Sequence, residues 1–103
     1  MIEQGAVVII SCGNPREKLW GVLLRLDAVG AVIRGLDINS VEDWLRQQIN
    51  GDEPLIGPST VFIPSRRIER IYLDETSGGA QSFRDRYRQA CGGDVRDILG
   101  TEA

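Results

Sequence analysis

A chain of 103 residues, 42% hydrophobic and 26% charged, has the length and ordinary usage of one globular domain, which excludes disordered, collagen-like and low-complexity readings. Fifteen acidic residues outnumber twelve basic ones for a net charge of −3, so no overall field draws the chain to nucleic acid or to an anionic membrane, and any such binding requires a local patch. The absence of His removes the commonest general base, the usual triad member and the commonest zinc ligand together.

Ala6-Val7-Val8-Ile9-Ile10-Ser11 is a β-branched run between Gly5 and the Gly13-Asn14-Pro15 turn, which predicts a buried first strand. The second strand, from about Lys18 to Leu26, places Trp20, Val22, Leu24 and Leu26 on one face and Leu19, Gly21, Leu23 and Arg25 on the other. Both faces are largely apolar. One small interior hides only one of them, so a helix or a second copy of the chain has to cover the remainder. Asp27 to Gly30 form the turn, with Gly30 expected at positive φ, and Ala31 to Asp37 return as the third strand.

Ser40 followed by Asp43 reads as the start of a helix, whose apolar stripe runs through Val41, Trp44, Leu45 and Ile49 until Gly51 stops it. The two prolines and the glycine in Pro54-Leu55-Ile56-Gly57-Pro58 make that stretch irregular. Ser59 to Ile63 is the fourth strand, Pro64-Ser65-Arg66-Arg67 a turn, and Ile68 to Leu73 the fifth strand. After the polar segment Asp74 to Gly79, a helix is expected behind Ser82 and Asp85 with the stripe Phe83, Tyr87, Ala90 and Cys91; Gly92-Gly93 stop it, and Asp94 caps a last turn that docks Val95, Ile98 and Leu99.

Eleven of the twelve basic residues are Arg, usage that commonly reflects genome composition; Lys18 is the exception. Cys12 and Cys91 are too few and too distant for a disulfide framework or a metal site and read as small buried apolar residues. No apolar run approaches the ~18 residues that cross a bilayer. Met1 to Gly5 lack the basic start of a secretory signal, so the expectation is a cytoplasmic protein without a membrane partner.

Two clusters are candidates for binding an anion or a partner. Arg16 and Lys18 lie in the charged stretch ahead of Trp20, and Arg66, Arg67 and Arg70 surround the turn after Pro64. The reading ahead of that for each is a solvated surface, with the second cluster ion-paired to Glu69, Asp74 and Glu75. Arg84, Arg86 and Arg88 spread around the polar side of the last helix without converging on a point and read as a solvated face. Trp20, Trp44 and Leu45 are candidates for self-association. Asp74-Glu75 point to opposite faces, Ser11-Cys12 has no base beside it, and no phosphate-cradling glycine loop is present, so no catalytic residue, cofactor or metal is expected.

Five short strands with a sharp turn between the last two amount to a mainly β domain over residues 1–103, a five-stranded SH3-like or Sm-like barrel with a helical insertion at about 39–58 and a C-terminal helix at about 82–99. Gly21, Leu23, Leu26, Asp27 and Val32 resemble the first signature segment of the Sm-like proteins, and Val61-Phe62-Ile63-Pro64-Ser65-Arg66-Arg67-Ile68 stands where the second would lie. The whole chain also resembles an uncharacterised family of small bacterial proteins. The Sm-like resemblance implies ring-like or dimeric assembly. RNA binding is not carried over with it, because Ala31 stands where that family has a base-reading Asn, and Pro64-Ser65 where it has a basic residue and glycine. The expectation is therefore a non-enzymatic, self-associating binding module, with a nucleic-acid-binding protein and a small-ligand protein or enzyme as the alternatives.

Overall fold

The computed structural model describes residues 1–100. Five strands, β1 (Val7–Cys12), β2 (Glu17–Leu26), β3 (Gly30–Asp37), β4 (Ser59–Pro64) and β5 (Ile68–Leu73), form one antiparallel sheet in the order β4-β3-β2-β1-β5. Helix α1 (Ile38–Asn50) lies between β3 and β4, and α2 (Phe83–Cys91) and α3 (Val95–Leu99) follow β5.

The two edge strands are neighbours in sequence, joined only by the 3₁₀ turn Ser65–Arg67. A flat five-stranded sheet would separate its edges by roughly 19 Å, at about 4.8 Å per strand. The four steps from Pro64 to Ile68 reach at most about 14 Å. The sheet therefore curls. β4 and β5 nevertheless do not pair, so the curl stays open along that seam and the expected closed barrel is not formed.

Glycines permit the bending. Gly21 and Gly35 oppose each other across β2 and β3, where a Cβ on Gly35 would stand 1.9 Å from the Trp20 carbonyl oxygen and one on Gly21 would stand 2.2 Å from that of Arg34. Neither position has room for a side chain. A further register shift between Leu23 and Arg25 interrupts the β2–β3 ladder. Beyond it Leu26, expected on the apolar face with Trp20, is exposed.

The curl has two apolar layers, as the two-faced second strand requires. Inside it pack Val8, Ile10, Cys12, Leu23, Ile33 and Ile63. On its outer face Val7, Trp20, Val22 and Leu36 meet Val41, Trp44 and Leu45 from α1 and Val95 and Leu99 from α3, while Phe83 and Tyr87 of α2 pack at the margin. Trp20 lies 5.6 Å from Trp44 and 5.9 Å from Phe83, ring centre to ring centre. The chain's own helices thus cover the second apolar face.

The helix ends differ in detail from expectation. Asp37, rather than Ser40, caps α1 by accepting from the Asn39 N–H at 2.9 Å. Gly51 closes α1 in the left-handed conformation, as expected. On α1, Gln47 is buried where Ile49 was expected, and Ile49 is exposed. The Gln47 amide accepts from the Leu55 and Ile56 N–H groups and donates to the Ile56 carbonyl, all at 2.9–3.0 Å, so it pins the irregular stretch that follows. Ser82 caps α2, but Asp85 accepts from the Thr76 hydroxyl, which in turn accepts from the Ser82 N–H. Ala90 and Cys91, expected on the apolar stripe, are exposed because α2 touches the core only through its first turns. Gly30 does not adopt positive φ; Asp27 makes the turn by accepting from the Val29 and Gly30 N–H groups, and Gly30 is needed because a Cβ there would meet the Ile63 carbonyl at 2.2 Å. Among the described residues, no helix is long and apolar enough to cross a membrane.

Candidate functional site

One edge of the sheet is unprotected. Edge strands are ordinarily blunted by charged side chains, proline or bulges, because their outer N–H and C=O groups are a template for another strand. β4 reads Ser59-Thr60-Val61-Phe62-Ile63-Pro64: it carries no charge, is rich in β-branched and aromatic residues, and has proline only at its end. Its register against β3 pairs Val61 with Ile33 on the inner side and Phe62 with Val32 on the outer side. Val61 is 37% exposed and Phe62 49%, so apolar surface shows on both faces of the edge. The opposite edge, β5, exposes Glu69 and Arg70 instead and carries a register shift against β1 between Ser11 and Cys12.

Beside β4 lies a cavity of about 260 Å³ lined by Leu19, Ile33, Gly35, Ile56, Ser59 and Val61, among others. Ile56 is held over it by the Gln47 amide. The Asp37 and Ser40 side chains belong to its lining as well, so the slot is apolar with a polar rim.

Arg66 sits on the turn whose Ser65 N–H donates to the Val29 carbonyl, but Arg16, Lys18, Arg67 and Arg70, widely separated in sequence, come to the β1–β2 loop end of the sheet. Arg67 holds that end together: it donates to the Gly13 carbonyl at 3.2 Å, the Pro15 carbonyl at 2.9 Å and the Glu17 carboxylate at 2.8 Å. The partner is Glu17, in place of the expected Glu69, Asp74 or Glu75. Arg67 is thereby committed to bracing the β1–β2 loop, whereas Arg16 and Arg66 are exposed. Lys18 and Arg70 flank Ser11 on either side of β1, in one row across three strands, and the Arg70 guanidinium lies 5.1 Å from the centre of the Tyr72 ring.

Trp20, Trp44 and Leu45, expected to mediate self-association, are 0%, 2% and 1% exposed in the single chain. They form its core, and another copy cannot reach them. The apolar surplus that suggested a second copy is consumed by α1, α2 and α3.

Two carboxylates fasten the helices: Asp94, expected to cap the last turn and doing so, also gathers three arginines, and Asp74 has a role the sequence did not show. Asp74 accepts from the Trp20 indole N–H at 3.0 Å and from the Phe83 and Arg84 N–H groups at the start of α2. Asp94 accepts from the Arg84, Arg88 and Arg96 guanidinium groups and from the Arg96 N–H. Burial pushes the Asp94 carboxyl up, but the hydrogen bonds from Arg84 and Arg96 outweigh it and hold the group well below the usual carboxylate range. Arg86 pairs with Glu42 of α1 through both nitrogens, which lowers the Glu42 carboxyl. The arginines of α2, expected as a solvated face, are therefore fasteners between helices. A carboxylate at a strand end, such as Asp74, carries no spacing signal that would have singled it out.

Burial raises the Cys12 thiol, which disfavours the reactive thiolate at the Ser11-Cys12 pair. Among the described residues, no group of three or more His, Cys, Asp or Glu side chains is placed to hold a metal ion. Comparison with protein-family models, with curated proteins and with solved structures finds no match.

Proposed function

We propose that this chain is a non-enzymatic association module whose copies join edge to edge through β4. The observation that carries the reading is the uncharged edge itself, exposing Val61 and Phe62 on its two faces beside an apolar slot. Backbone pairing supplies affinity in such strand addition, and a pocket beside the edge supplies selectivity for alternate side chains. Only β4 is left unguarded, so β4 of one copy against β4 of another, antiparallel about a twofold axis, extends the sheet and closes as a dimer. The strand order, the short turn that links the two edges and the Asp27 turn support an open SH3-like or Sm-like barrel as the finer description, in a cytoplasmic protein. RNA binding of the Sm-like kind is not part of the reading, for the Ala31 methyl and the Pro64 ring offer no contact to a base edge or a phosphate.

Sedimentation velocity on the full chain at tens of micromolar tests it. The unaltered chain sediments as a dimer or larger, and Phe62→Lys or Thr60→Lys, both at exposed positions of β4, yields a folded monomer. A monomeric unaltered chain overturns the proposal, as does an oligomer that both substitutions leave intact.

A further inference from the structure

The outer face of the sheet carries a cationic row at the β1–β2 loop end that the association reading does not use. Cross-strand partners share a face, so the pairs Ser11–Lys18 and Ser11–Arg70 set a small hydroxyl residue between two long cationic ones. Their Cα atoms span roughly 10 Å over two strand spacings. The face is the one that bears Trp20 and Ile9 further along, and Tyr72 stands beside Ile9 in that next row. Ser11 is 8% exposed, while Lys18 and Arg70 on either side of it are exposed.

We propose that this Lys18–Ser11–Arg70 row binds the dianionic phosphate group of a phosphate monoester. Lys18 and Arg70 supply two positive charges, which match the roughly −2 charge of a monoester near neutral pH, and the Ser11 hydroxyl adds a third donor to its oxygens. The Arg70 guanidinium lies 5.1 Å from the centre of the Tyr72 ring in the next row, uncommitted to any carboxylate among the described residues. The nearby carboxylates do not neutralise the row: Glu17 pairs with Cys12 on the other face and is held by Arg67, and Glu69 sits at the register shift with its carboxylate toward Gly13. A nucleic-acid backbone is the poorer match. Each diester carries a single charge and needs a continuing track of cations, and Arg67, which would extend the track, is spent on the loop.

Backbone amide chemical shifts of the full chain, titrated at constant ionic strength with inorganic phosphate, with a small aryl phosphate monoester and with an eight-residue oligothymidylate, test the site. Expected are saturable shifts at Ser11, Lys18 and Arg70 with both phosphates, weakened about tenfold or more by Arg70→Gln and several-fold by Ser11→Ala, and unchanged in Arg46→Gln on α1. The Ser11→Ala change is nearly isosteric and keeps the fold intact for the comparison. A response to the monoester but not to inorganic phosphate identifies an organic phosphate as the ligand, and an equal response to both identifies the free ion as sufficient. Absence of localised shifts, insensitivity to both substitutions, or tighter binding of the oligonucleotide than of the monoester overturns the proposal.

Discussion

The Trp20 indole N–H donates to the Asp74 carboxylate at 3.0 Å across 54 positions of sequence, joining the centre of β2 to the residue that follows β5. The same carboxylate accepts from the first two N–H groups of α2, so one side chain satisfies a buried indole and part of a helix end together. The sheet and the helical cover are coupled at that point.

Asp74→Ala leaves the buried indole N–H unpaired and strips α2 of a capping acceptor, a loss of about 2 to 4 kcal/mol. Urea unfolding followed by far-ultraviolet circular dichroism measures it. Asp74→Asn retains acceptor capacity and falls between the two; a loss below about 0.5 kcal/mol for the alanine variant contradicts the assigned role.

Gly35→Ala forces a Cβ against the Trp20 carbonyl, which is backbone and cannot swing aside. The expected outcome is a loss of more than about 3 kcal/mol or no soluble protein, whereas Gly57→Ala, with open space around it, stays within about 0.5 kcal/mol. Thermal melts of the two variants make the comparison, and equal melting temperatures contradict it.

Asp94 makes stability sensitive to acid. Its carboxyl is lower in the folded chain than the roughly 3.9 of an unfolded aspartate, so its contribution is complete above about pH 4 and is lost as pH falls through the folded value. Asp94→Asn keeps a capping side chain but removes the charge; stability at pH 7 drops by about 1 to 3 kcal/mol and the decline between about pH 4 and pH 2 becomes shallower. Urea midpoints at pH 7, 4 and 2.5 decide it, and an unchanged acid slope in the variant rejects the assignment.

Much of this architecture is written in short-range patterns. The alternation in Trp20, Val22 and Leu24 against Leu19 and Leu23 correctly separates the two layers, because side chains on a strand alternate strictly until a bulge intervenes, and Leu26 lies beyond it. Gly51, Gly92 and Ser82 mark helix ends through backbone requirements that few residues meet. What covers the second apolar layer was left open between helix and neighbouring copy, since periodicity reports a buried face without naming what covers it. Gln47 and Asp74 were illegible for a related reason: their partners, the Leu55–Ile56 backbone and the Trp20 indole, are fixed only once the chain has folded. The basic residues were recognised as a group, but only the folded loop separates Arg67, braced by three contacts, from Lys18 and Arg70, which remain exposed.

Both tryptophans and Phe83 lie in the layer between sheet and helices, while the cluster inside the curl is built from aliphatic residues and Cys12. Indole emission therefore watches only half of the molecule: it changes when α1 or α2 lifts away, and it is dark to loosening of the aliphatic half. Any kinetic scheme built on that light alone would time the departure of the lid and miss the heart of the sheet.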